Sequence, residues 1–160
     1  IYTLSLHDAL PIWDDKNTYW FTLSNTEWRN VLNCSENGLA TVNNVHGLVL
    51  LPVNWSGVNG LSLTPTASDY TTNVYTLNEW TKMEKKGAVF LPAAGSLSFN
   101  NGQLYYDSGD VTGGHYWSST PTNGAVNAWY LYFHDSQNFI TIYSANRNSG
   151  YSVRLVRRAN

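Results

Sequence analysis

The chain has 160 residues, 42% of them apolar and only 12% charged, with a net charge of −2. This is the length of one domain with a proper core, and the charged share is about half the usual one. No basic stripe runs through the sequence, which excludes a nucleic-acid binder built on phosphate contacts.

Asn, Ser, Thr and Gly replace the missing charges, with 19 Asn alone, and Trp (7) and Tyr (11) are abundant. Paratopes and carbohydrate readers have this composition, as do ordinary extracellular β-rich domains. Cys34 is the only cysteine, so no internal disulfide can form, and one thiol by itself is not a metal site. No apolar run approaches the length of a membrane-spanning helix.

In chain order, residues 1–12 (IYTLSLHDALPI) come first, with neither an initiator Met nor a signal-peptide pattern. They resemble translated sequencing-adapter DNA. Residues 1–12 are therefore expected to be a non-native leader and 13–160 the domain, with any export signal lost. Two helices follow from one device. Ser24 precedes Glu27 by three positions in SNTEWRNVL, and Thr76 precedes Glu79 by three in TLNEWTKMEKKG. Each pair is a capping box, in which hydroxyl and carboxylate satisfy two orphan backbone donors. Trp28, Val31 and Leu32 form the first apolar stripe, Trp80 and Met83 the second, and Gly87 is a natural stop.

Residues 47–52 (GLVLLP) and 87–92 (GAVFLP) echo each other as short buried strands closed by Pro. The stretches 53–73 and 95–115 are rich in Gly, Asn, Ser and Thr and read as long loops, the first holding Trp55 and the second Tyr105 and Tyr106. After GGHYWSST comes a strand, NAWYLYFH, which does not alternate apolar with polar. Trp129, Leu131 and Phe133 point one way, and Tyr130, Tyr132 and His134 the other. A turn near HDSQN, a strand around 139–143, an Asn-rich turn SANRNSG and a last strand YSVRLVR complete the chain, with Val153, Leu155 and Tyr151 expected toward the core.

Catalytic constellations are missing from this pattern. His7, His46, His115 and His134 have no zinc-ligand spacing, and there is no nucleophile elbow or phosphate loop. Glu27 and Glu79 are committed to caps, and Asp69, Asp107, Asp110 and Asp135 sit where Asp forms turns. Asp107 and Asp110 offer oxygen ligands for calcium but lack EF-hand spacing. No catalytic residue, metal or cofactor is expected.

The motifs WFTLSNTEWRNVL, GAVFLPAAG, YWSST, the AWYLYF strand and the closing GYSVRLVR together resemble a paralogous bacterial surface-protein domain. It is abundant in Bacteroidetes and Fibrobacter and has the C-type lectin fold of formylglycine-generating enzymes. Several members are similar to variable proteins of diversity-generating retroelements, whose binding-face codons are rewritten at adenines. The resemblance implies an α+β domain of C-type lectin-like fold, with two short helices, short antiparallel strands and long irregular loops. It implies a non-catalytic ligand-binding domain, lectin-like or adhesin, at the cell surface or outside the cell, as part of a larger bacterial surface protein or a phage protein. The partner would be a glycan or a protein. The rewritten positions map onto Tyr130, Tyr132, His134, Ile140, Ile142, Tyr143, Ser144, Asn146, Asn148 and Ser149, with Ala145 among them. His115 and Trp117 would lie near the rim, Trp117 more in the core, and Arg147 and Arg154 would be structural, pairing with buried carbonyls or an acid. Absence of EPN and QPD tripeptides speaks against calcium-dependent sugar binding. Two other readings stay open: a fixed module of a surface or pilus-tip protein whose Tyr face packs on a neighbour, and an oxidase of the formylglycine-generating type. The catalytic cysteine pair that the oxidase needs is missing.

Overall fold

Both capping boxes form. In the computed structural model, Glu27 N–H donates to Ser24 Oγ at 3.2 Å and Ser24 N–H to Glu27 Oε2 at 2.8 Å. Thr76 and Glu79 repeat the exchange at 3.3 and 2.8 Å. They start α1 (Asn25–Cys34) and α2 (Leu77–Glu84). Gly87, at φ +95°, ends α2 as a Schellman motif: its N–H donates to Glu84 O, and Ala88 N–H donates to Met83 O. Ser24→Ala is expected to lower stability by about 0.5–2 kcal/mol, read as a lower urea midpoint at unchanged slope.

The structure describes residues 2–3, 20–65, 67–100, 103–106, 113–122, 124, 126–135 and 139–158. Most of the expected leader lies outside them, apart from β1 (Tyr2–Thr3). The other strands are β2 (Phe21–Thr22), β3 (Asn37–Val42), β4 (Val45–Leu50), β5 (Val74–Tyr75) and β6 (Val89–Pro92). They continue with β7 (Leu97–Asn100), β8 (Gln103–Tyr106), β9 (Gly113–Pro121), β10 (Asn127–His134), β11 (Phe139–Asn146) and β12 (Leu155–Arg158). They form four sheets, ordered β1-β12-β2, β11-β10-β9, β5-β3-β4-β6 and β7-β8.

The fold is thus mostly β, which corrects the expected α+β, C-type lectin-like architecture. Twelve strands stand against two short helices among the described residues. The loop expected at 95–115 holds β7, β8 and the start of β9, which runs on through YWSST. Gly and Ser lowered the strand signal there, but aromatic and β-branched neighbours supplied enough pairing surface. The Asp107 and Asp110 turn lies outside the described residues.

The two echoing segments pair with each other, Leu48 opposite Leu91 and Leu50 opposite Val89. Their unbroken apolar runs follow from a sheet buried on both faces. Leu39, Leu48, Leu50 and Leu91 meet Trp28 of α1 and the inner side of β9-β10-β11. Ala40, Val42, Val49 and Leu51 meet Trp80 and Met83 of α2. Asn43 and Asn44, at φ 47° and 65°, join β3 to β4 in the two-residue turn that positive φ at both positions defines.

The last strand corrects a phase error. Val153 and Leu155 are exposed, and Val156 fills the core. Bridges at Gly150 and Ser152 hold the segment before β12, which pairs with β2 in the opposite phase to the one expected.

Two buried phenols bond to backbone carbonyls, one linking β9 to β6 and the other β5 to a loop. The Tyr116 hydroxyl donates to Pro92 O at 2.8 Å, and that of Tyr75 donates to Ser62 O. Burial pushes each pKa up to about 12, helped at Tyr75 by Glu79 and opposed at Tyr116 by Arg154. A folded-state value above the unfolded one, about 10, gives a contribution complete below pH 10 and lost as pH rises through 12. Stability should fall over that window, and Tyr116→Phe should flatten the fall in urea titrations at graded pH.

Candidate functional site

Alternation along three neighbouring strands builds the site. In β10, Leu131 and Phe133 are fully buried, while Tyr130, Tyr132 and His134 on the other side are half-buried. Registers with β9 and β11 place rings in rows. Trp117, Tyr130 and Tyr143 lie abreast, as do His115, Tyr132 and Thr141; His134 lies opposite Phe139.

The rings contact one another across and along the strands. Tyr132 lies 4.8 Å from His115, 6.0 Å from Phe139, 6.1 Å from Tyr143, 6.2 Å from His134 and 6.4 Å from Tyr130, centroid to centroid. Such spacings fall within the range in which aromatic pairs attract. Tyr151 covers the β9 side, 4.6 Å from both Trp117 and Tyr130 and 4.7 Å from His115. The β11 side stays open, with Tyr143 44% and Phe139 37% exposed. No Lys, Arg, Asp or Glu stands in this grid; beside it, His134 Nδ1 lies 3.0 Å from Asp135 Oδ1.

Of the expected site residues, Tyr130, Tyr132, His134 and Tyr143 share this face. Ile140 and Ile142 do not. They lie opposite Phe133 and Leu131 on the core side, and Ile142 is 6% exposed. Ser144 and Asn146 have that same parity, opposite Trp129 and Asn127, and are solvent-exposed at the far end of β11. Asn148 is exposed and Ser149 half-buried in the following turn, where Asn148 N–H donates to Asn146 Oδ1 at 3.1 Å. Ten candidates therefore split between two faces and a turn.

His115, expected at the rim, is 5% exposed and sits under the cluster's centre. Trp117, expected in the core, and Tyr151, likewise, belong to the aromatic face. Phe139 and Thr141 were missing from the expected set, although their parity with Tyr143 was the signal that places them. Trp129 packs at the core's edge, with the Arg29 guanidinium 5.9 Å from its ring.

The two arginines expected to be structural differ in setting. Arg147 is exposed, and its backbone N–H donates to Val126 O. Arg154 is half-buried, and its Nε and Nη2 are enclosed without a hydrogen-bond partner among the described residues. Burial lowers its pKa, with Tyr116 and Glu84 acting the other way.

No group of three or more His, Cys, Asp or Glu side chains among the described residues could hold a metal ion. Among the same residues, no helix is long and apolar enough to cross a membrane. The grid offers adsorption and ring stacking, with hydroxyl and imidazole groups for hydrogen bonds.

Residues 64–156, more than half of the chain, match a family described as a domain of unknown function (DUF8237), and the chain belongs to that family. The matched segment contains the whole β9-β10-β11 sheet. No curated protein and no solved structure matches.

Proposed function

We propose that this chain is a non-catalytic ligand-binding domain whose contact surface is the aromatic side of β9-β10-β11. The observation that carries the reading is the ring grid of β9-β10-β11, free of Lys, Arg, Asp and Glu and open on its β11 side at Tyr143 and Phe139. Rigid rings give contact area at low entropic loss, because each has only two side-chain torsions to fix. A ring surface with no Lys or Arg in it suits an uncharged ligand, whether a glycan or a protein surface, and offers a polyanion little to pair with. The setting proposed with it is a bacterial surface or phage protein that presents this face outward.

A direct test is binding of the labelled chain to an oligosaccharide array and to fixed bacterial cells. Saturable binding to either supports the reading. A chain that binds neither is not a ligand-binding domain of this kind.

A further inference from the structure

β11 is the outer strand of its sheet, bonded to β10 on one side only. Among the described residues, no strand pairs with its other side, and no loop backbone bonds to residues 139–145. An edge strand presents a row of backbone donors and acceptors, and proteins usually blunt it with Lys, Pro, an inward charge or a bulge. Residues 139–146, FITIYSAN, contain no proline and no charge. The register with β10 runs unbroken through all eight positions, so no bulge turns this edge away.

The same strand is chemically palindromic. Phe139, Ile140, Thr141, Ile142 and Tyr143 read aromatic, Ile, Thr, Ile, aromatic in either direction. Antiparallel pairing of two copies about Thr141 sets Phe139 opposite the partner's Tyr143, twice. It also sets Ile140 opposite the partner's Ile142, twice, and Thr141 opposite the partner's Thr141. Aromatic pairs and Thr–Thr pairs are favourable cross-strand combinations. Because paired positions have the same parity, aromatic faces join aromatic faces. Phe139 and Tyr143 are the exposed rings of the edge, so the contact would cover apolar surface that the single chain leaves open.

We infer that β11 pairs with β11 of a second copy through a two-fold axis at Thr141. The product is one antiparallel six-stranded sheet, ordered β9-β10-β11-β11-β10-β9, with a doubled aromatic platform. Self-complementarity of this kind is what a closed, isologous dimer requires. The inference is independent of ligand binding, since it rests on the strand edge and not on what the rings hold.

The test is sedimentation velocity of the full chain over a wide concentration range, with Thr141→Lys and Thr141→Glu beside it. The wild type should pass from monomer to dimer and stop there. Each variant places like charges opposite each other at the axis and should weaken association at least tenfold. An equimolar mixture of the two variants should associate again, because Lys then faces Glu. A wild type that stays monomeric, forms open-ended oligomers, or dimerises equally well with either variant overturns the inference; so does a mixture that fails to recover. If the variants do not fold, wild-type hydrogen exchange decides. Amides of residues 139–143 should gain protection as concentration rises, and unchanged protection overturns the pairing.

Discussion

Gly114→Ala is expected to destabilise the protein by about 3 kcal/mol, the upper part of the usual range for overpacking a core. For a chain of this size, that corresponds to a fall in Tm of roughly 6–12 °C. A Cβ at Gly114 would sit 2.1 Å from Phe133 Cζ and 2.4 Å from Cε1. Phe133 is fully buried and stacked 6.2 Å from Tyr116, so its ring cannot swing into solvent. The glycine is the space the ring occupies. Phe133→Leu on the Gly114→Ala background should recover part of the loss, with a coupling of about 0.5–3 kcal/mol in the double-mutant cycle. Thermal unfolding of the four proteins reads both numbers. Equal losses in the single and double variants would show that the close approach is not what limits this site.

Tyr132→Ala is the second large effect. Tyr132 is in contact with five other rings, and its loss opens the centre of the platform. Central aromatic anchors of binding surfaces typically contribute 2 kcal/mol or more, which is about a 30-fold weaker affinity. Tyr132→Phe keeps the ring and should keep most of the binding. The alanine variant will also lose stability, since aromatic pairs each contribute about 0.5–1.5 kcal/mol. Affinity is therefore compared well below its melting temperature. Binding unchanged in Tyr132→Ala would move the contact surface away from the middle of the sheet.

The capping boxes were readable because their signal is local: a hydroxyl and a carboxylate three positions apart. So was the alternation of β10, where each side chain's neighbour in sequence faces the opposite way. The face of β11 and the fold class are where the expectations depart from the structure. Ile142 and Tyr143 were both assigned to the binding face, although a strand cannot point adjacent residues the same way. The family likeness had supplied those positions, and the two-residue period of β11 overrides it. The fold class failed for a related reason. Segments rich in Gly, Ser and Asn look like loops until a partner strand fixes them, as Gly113 and Gly114 show opposite His134 and Phe133. Tyr151 follows a turn, and the non-local bridges of Gly150 to Leu97 and of Ser152 to Tyr116 bring its ring over His115 and Trp117.

The most direct measurement is binding of three proteins side by side to one oligosaccharide array and one panel of fixed bacterial cells: wild type, Tyr132→Ala and Ser144→Ala. Ser144 has the opposite parity in β11 and is exposed, so it reports on the other side of the same sheet. The predicted result is binding by the wild type, retained by Ser144→Ala and reduced about 30-fold by Tyr132→Ala. Binding that survives Tyr132→Ala, or that Ser144→Ala abolishes instead, would contradict a binding surface on the aromatic face.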